Sequence, residues 1–371
     1  MEKDEKKTAK NHLQYVNTCA IIHIHFKVLH FKVMKQEGID IQKGSIIMAQ
    51  KGNLMTVRSD IKILDATIRD GGLVNSFNFS DEFVNDLYRA NVKSGVDYME
   101  FGYKASKEMF DVERFGKWKF CDEASIRGIV GDNNSDLKIA VMADVGRCDY
   151  KKDIVDRDLS VIDMVRVATY IHTMPAALHM IEDAKAKGYE VTCNIMAISN
   201  AQESDLDMAL DMLAKSPVDG IYLVDSYGSL YPEQIRALAD KYVAVAESAD
   251  KYVGIHAHDN QQLAFANTIE AAARGVSLLD ATMSCLGRGA GNCAMELLLG
   301  FLKNPKYNMY PALKFIEDQV TKLKAEGMVW GYDIPYFLTG RLNLHPSAAI
   351  DCVKQGRTDY TEFYTELLDR S

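Results

Sequence analysis

Ile61-Lys-Ile-Leu-Asp65-Ala-Thr-Ile-Arg69-Asp70-Gly71-Gly72 is the point where an apolar, strand-like run turns into a charged stretch ending in two glycines. A doubly wound open sheet would carry a glycine-rich phosphate fingerprint after its first strand. Arg69-Asp70-Gly71-Gly72 stands there instead. Beyond it, short apolar runs alternate with longer amphipathic ones. The expected strands are 61–64, 98–101, 137–142, 164–168, 190–195, 220–224, 252–255 and 278–283. Helical patterns fall between them at 80–94, 174–187, 204–214, 231–246 and 260–274, with Ser80-Asp-Glu and Ser204-Asp-Leu-Asp as starting caps. Eight strand–helix units over about 240 residues predict an α/β fold, a (β/α)8 TIM barrel, over residues 59–303.

The flanks differ from this pattern. Residues 304–371 are helical by pattern, and the punctuation in Trp330-Gly-Tyr332-Asp-Ile-Pro-Tyr336 and Leu342-Asn-Leu-His345-Pro346 suggests short helices packed on one barrel end. Residues 1–58 open with a charged run, Glu2 to Lys10, and show no buriable periodic face. They are expected to be a poorly ordered extension, or translated upstream sequence, with Met48 or Met55 as sensible starts for the compact part. His23-Ile-His25 has no neighbouring carboxylate or strand–helix unit and is not expected to bind metal.

Composition narrows the function. Acidic residues outnumber basic ones, 52 to 43, for a net charge of −9, which disfavours nucleic acid or an anionic membrane as the main partner. No apolar stretch is long enough to span a bilayer. The 7 cysteines are scattered without a CxxC pair, so a reducing cytoplasm is the expected location.

Barrel enzymes place their chemistry at the C-terminal ends of the strands, and polar clusters fall there repeatedly. They are Arg69-Asp70, Glu100-Phe-Gly-Tyr-Lys104, Asp144-Val-Gly-Arg147, Thr169-Tyr170-Ile-His172, Asn194, Asp225-Ser-Tyr-Gly228, His256-Ala-His258 and Gly287-Arg-Gly-Ala-Gly-Asn292. Side chains alternate along a strand, so His256 and His258 share a face. Barrel closure makes strands one, seven and eight neighbours. Asp70 then supplies a carboxylate to the two imidazoles, and Asn292 an amide oxygen. Such a donor set with open positions suits Mn²⁺, Zn²⁺, Fe²⁺ or Co²⁺ better than a closed zinc cage. A 2-oxo acid chelates such an ion, which polarises its carbonyl, and Arg69 can donate to the same oxygen or to the substrate carboxylate. Arg69 could instead bridge barrel carboxylates such as Glu100. Arg288 could meet a substrate carboxylate or phosphate, or simply be solvated. Cys285 and Cys293 are read as small packing residues.

The motifs Asp65-x-Thr-x-Arg69-Asp70-Gly71, Gly254-Ile-His256-Ala-His258-Asp-Asn260 and Gly287-x-Gly-Ala-Gly-Asn292 make the chain resemble the DRE-TIM metallolyases over residues 59–303. These barrels include hydroxymethylglutaryl-CoA lyase and the isopropylmalate and homocitrate synthases. Val165-Arg-Val-Ala-Thr169 and the Ala290-Gly-Asn292 loop look most like the 4-hydroxy-2-oxovalerate aldolase branch. The resemblance implies a carbon–carbon lyase that works through the enolate of a 2-oxo acid such as pyruvate. It implies Asp70, His256 and His258 as metal ligands with Asn292 close by, Arg69 and Thr169 on the substrate, and Tyr332 as a catalytic tyrosine. It implies a divalent metal, Mn²⁺ ahead of Mg²⁺, Co²⁺ or Zn²⁺. A homo-oligomer is compatible with such barrels. The tail after the barrel differs from the aldolases' dehydrogenase-docking region, so a partner dehydrogenase is not expected.

One position departs from the pattern. Where the aldolases carry a histidine base two residues after Arg-Asp-Gly, and the lyases and synthases usually a glutamine, this chain has Leu73. Tyr103, Tyr170, Tyr227 and Tyr332 are the candidates to move a proton in its place. Two other readings stay open. One is an acyl-CoA condensing enzyme, disfavoured by Leu73 and by the lack of a regulatory domain after the barrel. The other is a metal-binding barrel that has lost catalysis.

Overall fold

The computed structural model describes residues 58–370. The expected extension over 1–58, with His23 and His25, lies outside them apart from Arg58. Eight parallel strands close into a barrel in chain order, with β8 pairing back onto β1 from Lys62↔Leu278 to Asp65↔Ala281. The strands are β1 (Lys62–Asp65), β2 (Tyr98–Tyr103), β3 (Lys138–Asp144), β4 (Met164–Thr169), β5 (Glu190–Ile195), β6 (Gly220–Asp225), β7 (Tyr252–Ala257) and β8 (Leu278–Ala281). The TIM barrel expected from the alternating pattern is therefore the fold.

The surrounding helices are α1 (Thr67–Asn75), α2 (Asp81–Ser94), α3 (Glu123–Val130), α4 (Tyr150–Asp153), α5 (Met174–Ala186), α6 (Glu203–Lys215), α7 (Pro232–Ser248), α8 (Ala264–Ala273) and α9 (Met295–Phe301). Ser80 caps α2 as expected, its hydroxyl accepting from Phe83 N at 3.2 Å. Ser204 does not cap α6: the helix begins one residue earlier, with Gln202 at the N-cap position, so Ser204 lies in its first turn. The helix expected from Asn260 begins only at Ala264, whose amide donates to Asp259 Oδ1 at 2.9 Å. Between β3 and β4 only the single turn α4 and a short 3-10 turn form. Lys151-Lys-Asp-Ile-Val-Asp-Arg-Asp158 is too dense in charge to present a continuous apolar stripe.

The barrel interior is filled in layers. Directly beneath the site, alternate strands contribute Glu100 (β2), Arg166 (β4), Tyr222 (β6) and Asp280 (β8), all buried. Arg166 bridges Glu100 Oε2 at 2.8 Å and Asp280 Oδ2 at 2.6 Å, and Tyr222 donates to Asp280 Oδ1 at 2.9 Å. The guanidinium also stacks over the Tyr222 ring, 4.4 Å from its centroid. Buried charges survive when paired in this way, and removing one partner costs about 3–5 kcal/mol.

The C-terminal helices are α10 (Met309–Phe315), α11 (Thr321–Ala325), α12 (Ile334–Arg341), α13 (Ser347–Lys354) and α14 (Tyr360–Leu368). Phe315 packs edge-on against Phe83 of α2, with centroids 5.1 Å apart. Further along, the chain passes over the loops at the strands' C-terminal ends. Trp330 Nε1 donates to Ser284 O at 2.9 Å, and Asn260 Nδ2 donates to Tyr336 O at 3.2 Å. Among the described residues no helix is long and apolar enough to cross a membrane.

Candidate metal centre and comparison with known proteins

Three segments of the chain meet above the buried polar layer. Arg69 and Asp70 do not sit in an open loop. They occupy the first turn of α1, so the helix fixes both side chains at the mouth of the barrel. His256 lies on β7, and His258 just past its end, held by an antiparallel bridge to Asn292. A carboxylate oxygen of Asp70 and one nitrogen from each of His256 and His258 all lie within 4.8 Å of one another.

The surroundings orient each donor. His256 Nδ1 donates to Asp280 Oδ2 at 3.0 Å, and His258 Nδ1 donates to the Gly291 carbonyl at 3.2 Å. Both contacts leave Nε2 with its lone pair, the usual arrangement of a metal-binding histidine. Burial, reinforced by the nearby Arg288, His256 and Arg69 charges, pushes His258 down to about 3, so its imidazole is neutral at physiological pH. Burial alone would raise the Asp70 pKa. Arg69, His258, His256 and Arg288 outweigh it and hold the carboxyl well below the usual range. Asn292 Nδ2 donates to Asp70 Oδ2 at 2.6 Å, while Asn292 Oδ1 is buried without a hydrogen-bond partner. An oriented carboxylate, two imidazoles and an orphaned amide oxygen fit a divalent cation with coordination positions left open.

Arg69 answers both expectations made of it. Its Nε donates to Glu100 Oε2 at 2.8 Å and its Nη1 to Asp70 Oδ1 at 2.7 Å, which is the bridging role. Its Nη2 lies 3.4 Å from both ring nitrogens of His256, so part of the guanidinium faces the donor set. Arg288 reaches the same space. Its amide contacts Asp70 Oδ2 at 3.3 Å, and its side chain donates to Ser226 O at 3.1 Å.

A cavity of about 70 Å³ opens onto these groups, bordered also by Leu73, Tyr103, Asn194 and Ser226. Two anticipated residues are not brought to it. Arg166 and Ala168 face the barrel interior, so the alternation along β4 turns Thr169 outward, and its hydroxyl meets Thr173 Oγ1 at 2.8 Å. Tyr332 lies between α11 and α12, 48% exposed, and does not line the cavity. Of the candidate tyrosines, Tyr103 lines this cavity, whereas Tyr170 and Tyr227 line a larger neighbour. Burial and Asp144 push the Tyr103 hydroxyl well up, against the pull of Arg69, so it stays protonated and can donate.

The partners of the donors, Arg166 and Asp280, were not anticipated. The signal was present, because a charged residue inside an otherwise apolar strand run must be paired within the barrel. Gly287 shows how tightly the centre is built: a Cβ there would run into Asn292 Nδ2 and Asp70 Oδ2. Gly287→Ala is expected to lower divalent-metal affinity by at least about 10-fold, the lower range for disturbing groups that orient ligands. Calorimetric titration with Mn²⁺ checks this, and an unchanged affinity would separate Gly287 from the centre.

A closed parallel barrel with these donors at the C-terminal strand ends has clear relatives. The HMGL-like family profile matches residues 60–319, and the chain belongs to that family. It is 26% identical to a 4-hydroxy-2-oxovalerate aldolase of Bacillus cereus, over 71% of this chain and 76% of the relative. It is 29% identical to an oxaloacetate decarboxylase of Mycobacterium tuberculosis, over 65% of this chain and 69% of the relative. Among solved structures, the N-terminal domain of a candidate aldolase from Bacteroides vulgatus aligns with TM-score 0.65 and 28% identity, covering 79% of this chain and 96% of that domain. The HMG-CoA lyase of Bacillus subtilis aligns with TM-score 0.58 at 16% identity, over 72% of this chain and 95% of the lyase, and shares the fold.

Proposed function

We propose that this chain is a divalent-metal-dependent carbon–carbon lyase acting on a 2-oxo acid through its enolate, of the 4-hydroxy-2-oxovalerate aldolase kind. The observation that carries the reading is Arg69 beside the Asp70–His256–His258 cluster, facing a small cavity. When bound, a divalent ion, Mn²⁺ foremost, supplies Lewis acidity at the substrate carbonyl. The chain's own groups do the rest. Arg69 places a fixed positive charge where the enolate oxygen gains negative charge. Arg288 is available to a carboxylate, and the Tyr103 hydroxyl can donate a proton into the cavity. The 6 free cysteines among the described residues support a reducing compartment, the cytoplasm, as part of the same proposal.

Leu73 favours a second reading within this chemistry. Aldol cleavage needs a base to take the proton of the 4-hydroxyl, whereas loss of CO₂ from a 3-carboxy-2-oxo acid leaves the same enolate without one. A proton delivered to C3 then completes the product. Decarboxylation therefore asks less of a site with leucine at this position.

The test is exchange of pyruvate methyl protons in D₂O by Mn²⁺-loaded protein, followed by NMR. Exchange above the metal-only rate is expected, and its absence together with no turnover of oxaloacetate would sink the enolate reading. Comparing turnover of oxaloacetate with that of 4-hydroxy-2-oxovalerate then separates the two reactions.

A further inference from the structure

The cavity at the donors is small, but its neighbour is not. A second cavity of about 630 Å³ lies between the loops that follow β4 and β5 and the helix α6. Its size falls within the range of ligand pockets. Ile171 and Met174 form one wall, Met208 and Met212 of α6 another, and Tyr227 stands at the side. Met196 borders both cavities. A ligand whose head reaches the metal donors and whose tail passes Met196 therefore enters the larger space. Methionine is unbranched and adaptable, which suits a wall between two parts of one ligand.

The lining chemistry selects the tail. Methionines, Ile171 and Pro175 make the surface mainly apolar, and no lysine or arginine lines it. Asp205 sits on the same wall and would repel an anionic tail, so the phosphates of an acyl-CoA meet no lysine or arginine there, only the polar tips of His172, Asn200 and Gln202. We propose that this cavity is the subsite for an uncharged apolar tail, so that the substrate is a 2-oxo acid extended by a medium-length alkyl or arylalkyl group. This rests on the reading of Asp70, His256 and His258 as the head-group site.

Calorimetric titration of the Mn²⁺-loaded full chain with pyruvate, 2-oxobutanoate, 2-oxohexanoate and 2-oxooctanoate tests it. Affinity is expected to rise about fourfold per methylene once the tail passes Met196, the gain for burying one CH₂. Met208→Glu and, independently, Ala201→Trp should collapse the ratio of 2-oxooctanoate to pyruvate affinity toward one, with thermal melts confirming that both variants fold. A flat series in a protein that exchanges pyruvate protons overturns the subsite and leaves the proposed reaction standing. A rising series without proton exchange or oxaloacetate turnover supports the subsite while the reaction reading fails. A change in sedimentation on Met208→Glu, with the affinity series intact, marks the cavity as a contact between copies and also overturns the assignment.

Discussion

His256→Ala abolishes divalent-metal binding: Mn²⁺ that titrates into the wild-type chain gives no saturable heat with the variant, and purified protein carries no stoichiometric metal. The loss should exceed the roughly 10–100-fold that removal of a ligand's supporting partner costs, because here a ligand itself is removed. The geometry makes the prediction specific. His256 is held through Nδ1 by Asp280, which also takes Arg166 and Tyr222, so Nε2 is aimed by a network that reaches across the barrel. Asp280→Asn should therefore weaken metal by about 10–100-fold without abolishing it. It should also lower the melting temperature, since Arg166 loses one of its two buried carboxylates. If His256→Ala retains wild-type Mn²⁺ affinity, the donors are wrongly assigned, whatever becomes of the fold.

What could be read from sequence follows from how each feature is encoded. The barrel was legible because buried parallel strands are short apolar runs with helices between them, and β5 was delimited at Glu190 and Ile195 as the structure has it. Period-2 alternation put His256 and His258 on one face, and strand order put Asp70 and Asn292 within reach. Side-chain direction at a strand end was not legible. Thr169 is at the chemical end of β4, yet it faces away because its interior-facing neighbours are Arg166 and Ala168. Tyr332 sits in a connection whose path depends on where α11 stops, and no periodic pattern encodes that path. The connection between β3 and β4, without a full helix, departs from the pattern of one helix per strand for a related reason. Charge density tells where a helix is poorly supported, but not how short a crossover the barrel tolerates.

Arg69→Ala keeps the metal and loses turnover. Asp70, His256 and His258 remain, so Mn²⁺ still binds, while pyruvate proton exchange falls by about 10²–10³-fold, the usual cost of removing one preorganised group that faces developing charge. Stability falls as well, because Arg69 pairs with both Asp70 and Glu100. Of the Glu100 oxygens, Oε2 keeps Arg166 and Oε1 is already without a partner. A loss of about 3–5 kcal/mol is expected for breaking such a buried network and should appear in a denaturant titration. Arg69→Lys separates charge from geometry. A lysine restores one positive charge but cannot reach Glu100, Asp70 and the His256 face at once, since it lacks the planar fork. It should recover much of the stability and little of the rate. Full recovery of exchange by lysine would reduce the role of Arg69 to charge alone. The acid limb of metal binding gives an independent check. Burial raises the Asp70 pKa and Arg69 is the foremost charge lowering it, so without Arg69 the folded carboxyl titrates at higher pH. Protons then compete with metal earlier as the pH falls, and the midpoint of Mn²⁺ release moves upward in Arg69→Ala. It should stay near the wild-type position in Arg69→Lys.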